Sequence, residues 1–300
     1  MKNQQDINSL LNIENDDSTH NRRQFLQTDI GVGFADAALP VCSKTMITTN
    51  TSGLQTAVIN LDINGQNVPL YTARTARPEG KTNLPIVLVI SEIFGVHHHI
   101  ADVARRFAKE GYLAIAPDLF VRQGDPSKKV SVEELIKDII SKVPDAQVMS
   151  DLDAVVAWAK DNGGNINQLT ITGFCWGGRI TWMYAAHNSQ VKTGAAWYGF
   201  LDGQATEIKP QNPIDVAAHI KAPILGLYGA LDNGIPLESI VQMKLALAKG
   251  TSHSAFKVYD NSGHAFHSDY RPSYVEADAK DAWARCLAWF KQNLKHDKLI

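Results

Sequence analysis

The chain has 300 residues, 44% of them apolar. That is enough to bury a full core, which excludes disulfide-stapled miniproteins and disordered tails. Twenty-nine basic residues against 31 acidic ones give a net charge of −2, so no broad basic field exists for a phosphate backbone, and nucleic acid is set aside as a partner. No uninterrupted apolar run reaches the length of a membrane-spanning helix, and the three cysteines, Cys42, Cys175 and Cys286, have neither C-x-x-C nor zinc-site spacing.

Residues 1 to 20 are polar and acidic. Asn21-Arg22-Arg23-Gln24-Phe25-Leu26 then sets an arginine pair before a moderately apolar stretch from Ile30 to Val41, a pattern that resembles a twin-arginine export signal. Asp29 and Asp36 interrupt the stretch, and bulky Val41 stands before Cys42 where a lipoprotein box has a small residue. Two readings stand, export to the periplasm or a cytoplasmic leader. In both, residues 1–48 are a leader and residues 49–300 one folded domain, with Cys42 a bystander.

From Leu54 onward strands and helices alternate. Thr56 to Ile63 and Val68 to Ala73 flank Asn64-Gly65, a dipeptide suited to positive φ, which predicts an antiparallel edge hairpin. Pro85 to Ile90 is a continuous apolar run, as expected of a strand covered on both faces. A helix from Ile100 to Glu110 and a strand at Leu113 to Ala116 follow. Ser131 and Glu134 form a capping-box start for a helix to about Lys142, and a second helix runs from Ala146 to Lys160. Strands are predicted at Leu169 to Thr172, Ala195 to Trp197, Ile224 to Tyr228 and Ala255 to Tyr259, with helices at Trp176 to His187, Pro236 to Lys249 and Tyr274 to Asn293. Repeated units of this kind predict an α/β fold, a mostly parallel sheet with helices on both faces and an N-terminal antiparallel hairpin.

The chemistry centres on Gly173-Phe174-Cys175-Trp176-Gly177. A G-x-nucleophile-x-G sequence between a strand and a helix describes a sharp turn that lifts the nucleophile above the sheet edge. It also sets Cys175 at a helix N-terminus, where the dipole and free N–H groups favour a thiolate and an oxyanion. The order nucleophile, acid, histidine along successive strand ends points to Asp232, in Gly229-Ala230-Leu231-Asp232, and to His264, in Asp260-Asn261-Ser262-Gly263-His264, with Asp260 the rival acid. His97-His98-His99 reads as a polar helix-entry loop and not as a metal site, because consecutive side chains diverge. His267 reads as a pocket-rim or surface residue. Ser91-Glu92-Ile93-Phe94-Gly95 follows the first apolar strand, so the N–H groups of Ile93 and Trp176 are the expected oxyanion donors, and Glu92 could exchange a proton with the thiol. Phe94, Trp197, Tyr198 and Phe266, with Trp176, stand near predicted strand ends and either wall a pocket or fill the core. Arg271 either clamps a substrate carboxylate or pairs at the surface.

Taken together, Ser91-Glu92-Ile93-Phe94-Gly95-Val96, Ala116-Pro117-Asp118-Leu119-Phe120, Gly173-Phe174-Cys175-Trp176-Gly177-Gly178 and Gly263-His264-Ala265-Phe266 resemble the dienelactone hydrolase family, the carboxymethylenebutenolidases, from about Gln55 to Leu294. The resemblance implies an α/β-hydrolase fold, a Cys-His-Asp triad, no cofactor and no metal, and a glutamate matching Glu92 that exchanges a proton with the cysteine as substrate enters. It also implies arginines that hold a substrate carboxylate. Val132 to Gln147, where one of these belongs, has Lys137 and Lys142 but no arginine. The reading is a monomeric cysteine hydrolase of a small ester or lactone, working through a thioester. The alternative is a non-catalytic or redox-sensing protein of the same fold, with Cys175 as a sensor thiol.

Overall fold

The structure, a computed structural model, describes residues 47–76 and 83–295. The leader's arginine pair, its apolar stretch and Cys42 lie outside the described residues. Strands β1 (Leu54–Ile63) and β2 (Gln66–Thr75) form the predicted hairpin. Its turn places Asn64 and Gly65 at φ 56° and 78°, and the Asp62 side chain accepts the Gly65 N–H at 3.0 Å. β3 (Leu84–Ile90), β4 (Leu113–Pro117), β5 (Gly164–Phe174), β6 (Val191–Trp197), β7 (Ile224–Gly229) and β8 (Ala255–Tyr259) are parallel to one another, and β2 joins them antiparallel to β4. The resulting eight-stranded sheet has the order β1-β2-β4-β3-β5-β6-β7-β8.

The helices are α1 (His98–Lys109), α2 (Val132–Asp138), α3 (Asp145–Asp161), α4 (Trp176–His187), α5 (Pro213–Val216), α6 (Leu237–Leu247) and α7 (Glu276–Lys295). β4 is buried along its whole length and β3 nearly so, which explains their unbroken apolar sequences: a parallel strand with both faces covered has no solvent side to encode. Phe107 of α1 packs on Trp283 and Phe290 of α7 at ring separations of 4.5 and 5.9 Å. Tyr184 of α4 donates to Asp153 of α3 at 2.9 Å. None of the described helices is long and apolar enough to cross a membrane.

Two elements differ from expectation. The helix predicted over Ser131 to Lys142 ends at Asp138, because Ile139 leaves helical geometry (φ −121°, ψ −64°), and a 3-10 turn covers Ile140–Lys142. The short α5, opened by a capping box between Asn212 and Asp215, was not expected, since one turn leaves no periodic trace.

The strand order reverses between β3 and β5. β4 lies on one side of β3, and β5 through β8 run outward on the other. The carboxyl ends of β3 and β5 therefore open a crevice at a topological switch point, where ligands of such sheets bind.

Candidate active site

β5 delivers Phe174 to the sheet edge, and Cys175 then turns the chain into α4 with φ 55° and ψ −115°, a conformation that side-chain-bearing residues rarely adopt. The turn closes because neighbouring positions lack side chains. A Cβ on Gly173 would stand 2.1 Å from the Gly177 carbonyl oxygen, and one on Gly177 would stand 2.4 Å from that of Ile90. The Cys175 N–H donates to the Trp197 carbonyl at 3.0 Å, while the Cys175 carbonyl accepts from Gly178 and Arg179. Trp176 is the first residue of α4, so its N–H has no intrahelical acceptor. The loop leaving β3, which carries Ile93, begins against the first turn of α4 at Gly177.

The ends of β7 and β8 are tied together. The N–H groups of Ala230 and Leu231 donate to the carbonyls of Tyr259 and Ser262, each at 2.9 Å. This registration brings Asp232 Oδ2 to 2.7 Å from His264 Nδ1, with Asp232 buried and its other oxygen accepting the Gly234 N–H at 2.9 Å. Asp260 is exposed, so of the two acids it is Asp232 that the fold places on the histidine. The His264 ring also stands near enough to Cys175 for the two to interact electrostatically. Burial opposes a charge on this imidazole, but the negative character of Cys175 and the Asp232 bond outweigh it and push its pKa up to about 10. Cys175, His264 and Asp232 are thus brought together, with the acid bonded to the histidine and the histidine interacting with the cysteine.

Beside this line lies a buried ionic group. Glu92 accepts hydrogen bonds from Ser268 Oγ at 2.9 Å and from Tyr270 Oη at 2.6 Å, and His97 Nε2 stands 3.8 Å away. Burial alone would raise its pKa. The Arg271 guanidinium and His97 reverse this and hold the carboxyl far below the usual carboxylate range, so Glu92 is ionised. Arg271 lies over the rings of Phe94 and Tyr270, 4.5 and 4.9 Å from their centroids. Its Nε is buried without a hydrogen-bond partner, and Tyr270, Glu92 and Cys175 all favour its charged form against the cost of burial. Arg271 is therefore buried beside Phe94, Tyr270 and Glu92 and not part of a surface ion pair with Asp269. Ser268 and Tyr270, which hold Glu92, were not singled out by sequence reasoning. They stand in the His264-to-Arg271 segment, but nothing in the order of residues marks them.

The aromatic residues divide. Tyr198, at φ 37°, sets its ring edge-on to His264 at 5.2 Å and its hydroxyl 3.3 Å from Ser268 Oγ. Phe94 is half-buried under Arg271. Trp197 and Phe266 correct the expectation of a pocket wall. Both are wholly buried, Trp197 stacking on Phe174 with its Nε1 donating to Thr172 Oγ1 at 2.9 Å, and Phe266 packing against Tyr198 and Tyr259. His267 is a second correction: it is buried, stacked between Phe174 and Trp283, and burial pushes its pKa well below the usual imidazole value.

Two of the three consecutive histidines, His97 and His99, have structural partners. His97 caps α1, its Nδ1 accepting the His99 N–H, and buried His99 pairs with Asp269 at 3.1 Å. Asp269 also accepts from Arg106 at 2.7 Å and from the Ile47 N–H at 3.3 Å. Arg106 reaches on to Asp102, which holds the Thr49 N–H and Arg105. The loop from His264 to Arg271 is thereby anchored to α1 and to the first described residues. Among the described residues no group of three or more His, Cys, Asp or Glu side chains is placed to hold a metal ion.

Comparison with known proteins is consistent with this geometry. The model of the "Dienelactone hydrolase family" matches residues 71–294. A protein of Escherichia coli O157:H7 named "Putative carboxymethylenebutenolidase" is 50% identical over 260 residues, covering 87% of this chain and 95% of that one. One of the same name from Methylorubrum extorquens is 50% identical over 276 residues, covering 92% and 94%. The crystal structure titled as a putative dienelactone hydrolase from Klebsiella pneumoniae superposes with a TM-score of 0.77 at 50% identity, over 80% of this chain and 99% of that one.

Proposed function

The chain belongs to the dienelactone hydrolase family and is a hydrolase of that family, and from this premise we propose that it cleaves carboxylic esters or lactones through a thioester on Cys175. The observation that carries the reading is the line from Cys175 to His264 to Asp232 at the mouth of a strained turn. The thiolate adds to the substrate carbonyl, and the N–H groups of Trp176 and Ile93 hold the oxygen that gains charge. His264, protonated, gives its proton to the departing alkoxide as the C–O bond breaks. In a lactone the alkoxide stays tethered to the acyl group. Water then adds to the thioester with His264 taking its proton, and the thiolate leaves. Asp232 fixes the ring and stabilises its cation throughout.

The buried Arg271, with an unpaired Nε, supports a substrate bearing a carboxylate. The contacts of Glu92 with Ser268 and Tyr270 support a role in holding Arg271, and a proton exchange with Cys175 needs those two hydrogen bonds to open first. The names of the relatives support lactones as substrates. The test is a panel of chromogenic esters and enol lactones, assayed with and without iodoacetamide. Alkylation is expected to label Cys175 ahead of buried Cys286, whose thiol burial pushes up, and Cys175→Ala is expected to abolish turnover. Full turnover by that variant would remove Cys175 as nucleophile.

A further inference from the structure

One face of α6 is left to solvent although it is apolar. Ser239, Ile240, Met243 and Leu247 turn inward and are buried. On the other side Leu237, Val241 and Leu245 are 48%, 48% and 57% exposed. Four-residue spacing sets these three in one row, so they make a continuous stripe along an 11-residue helix and not scattered single contacts with water. Charge is divided along the same helix: the first turn carries Glu238 and the last turn Lys244. Gln242 donates to Glu238 at 2.9 Å, and the Lys244 ammonium lies 5.5 Å from the centre of the Phe256 ring.

The stripe is symmetric about its own midpoint. Val241 stands four residues from Leu237 and four from Leu245, and three from Glu238 and three from Lys244. A second copy of α6 laid antiparallel, with a two-fold axis at Val241, brings Leu237 of each copy beside Leu245 of the other and sets Glu238 level with Lys244. Opposite charges and opposite helix ends then share a level, whereas a parallel pairing sets like against like. Two rows of this spacing run side by side when their helices cross at about 50°. Such self-complementarity is what a two-fold contact requires. We propose that the row Leu237, Val241 and Leu245 is an interface through which two copies of this chain associate, in place of the monomer expected from sequence. The helix is about 16 Å long and about 10 Å across, so its face covers well under the roughly 800 Å² per partner of a standard interface. The dimer is therefore a dissociating one, with a Kd on the order of tens of micromolar. It is independent of the chemistry at Cys175.

Sedimentation velocity of the full chain from about 1 µM to about 1 mM tests it. The mass is expected to rise with concentration from that of one chain to that of two. Leu237→Lys and Leu245→Glu, each checked for its fold by circular dichroism, are expected to raise Kd by about tenfold or more, because each buries a charge without a partner in the contact. Mixing the two variants is expected to restore pairing, seen as a heterodimer by native mass spectrometry. The introduced lysine of one chain then meets the introduced glutamate of the other, while the remaining Leu245 and Leu237 still meet in the second half of the contact. A monomer throughout the range overturns the proposal and leaves the stripe to the leader or to another protein. A dimer that both variants leave unchanged overturns it too, since the contact then lies elsewhere. A mixture that stays monomeric overturns the antiparallel pairing about Val241.

Discussion

Replacing Gly178 by alanine probes how tightly the elbow is registered against the neighbouring strand. A Cβ at Gly178 would stand 2.5 Å from the Trp197 carbonyl oxygen and 2.9 Å from Gly199 Cα, where ordinary contact begins at 3.4 Å. The first contact is therefore short by about 0.9 Å, and both atoms are backbone, so no rotamer change relieves it. The same Trp197 oxygen receives the Cys175 N–H, so the displacement is passed directly to the nucleophile. Overpacking of this kind costs about 1–3 kcal/mol, which for a domain of this size lowers Tm by about 2–12 °C. A shift of about 1 Å at a reacting group costs about 100-fold in rate. Gly178→Ala should therefore melt earlier and lose about two orders of magnitude in kcat/KM for a chromogenic ester while remaining folded at room temperature. Gly203→Ala is the control, because its Cβ would meet only Asn212 Oδ1 at 3.7 Å. If Gly178→Ala matches that control in both Tm and kcat/KM, the reasoning about backbone contact at the elbow is wrong.

Four further outcomes follow from the site and the leader. Asp232→Asn should lower kcat by about ten-thousand-fold with folding preserved, whereas Asp260→Asn should not. Because Cys175 and Asp232 raise the His264 pKa to about 10, the pairing stabilises the fold fully below the ordinary histidine value and is lost as pH rises through about 10; the alkaline limb of kcat/KM should sit there and move to lower pH in Asp232→Asn. Arg271→Ala should raise KM for an anionic ester by about 10–100-fold and spare a neutral one of similar size. This is best measured with Glu92→Gln present in both arms, so that no buried carboxylate is stranded; equal effects on the two esters would make Arg271 structural. For the leader we propose export in the folded state, so protein recovered from the periplasm should lack roughly the first 40 residues and Arg22 and Arg23 changed to lysine should block its passage; an intact N-terminus found only in the cytosol would refute this.

The parts of the fold readable from sequence were those with a periodic or positional signature. Asn64-Gly65 marked the hairpin, the unbroken run Pro85 to Ile90 marked a strand covered on both faces, and the glycines around Cys175 marked a turn that admits no side chains. Strand ends then carried Asp232 and His264 to one edge. The orientation of Trp197 was not readable, because a strand buried on both faces has no polar side from which to tell inward from outward, and Phe266 stands in the loop after β8, where no periodicity marks a face. His267 was misjudged for a related reason: its neutral ring stacks on Phe174 and Trp283, partners 93 and 16 positions away. The ionic group around Asp269 joins residues up to 222 positions apart, and no local pattern could announce it.

Asp269 connects two distant parts of the chain: it holds the Ile47 amide and also stands on the loop that carries His264 and Arg271. The start of the described chain is therefore mechanically in series with the chemistry. A cut or fusion upstream of Ile47 leaves this tether intact, while trimming past Thr49 strips donors from Asp269 and Asp102, whose carboxylates are buried. The few residues from Ile47 to Thr49 thus mark where shortening the chain from its N-terminal end stops being silent and begins to loosen the loop bearing the histidine.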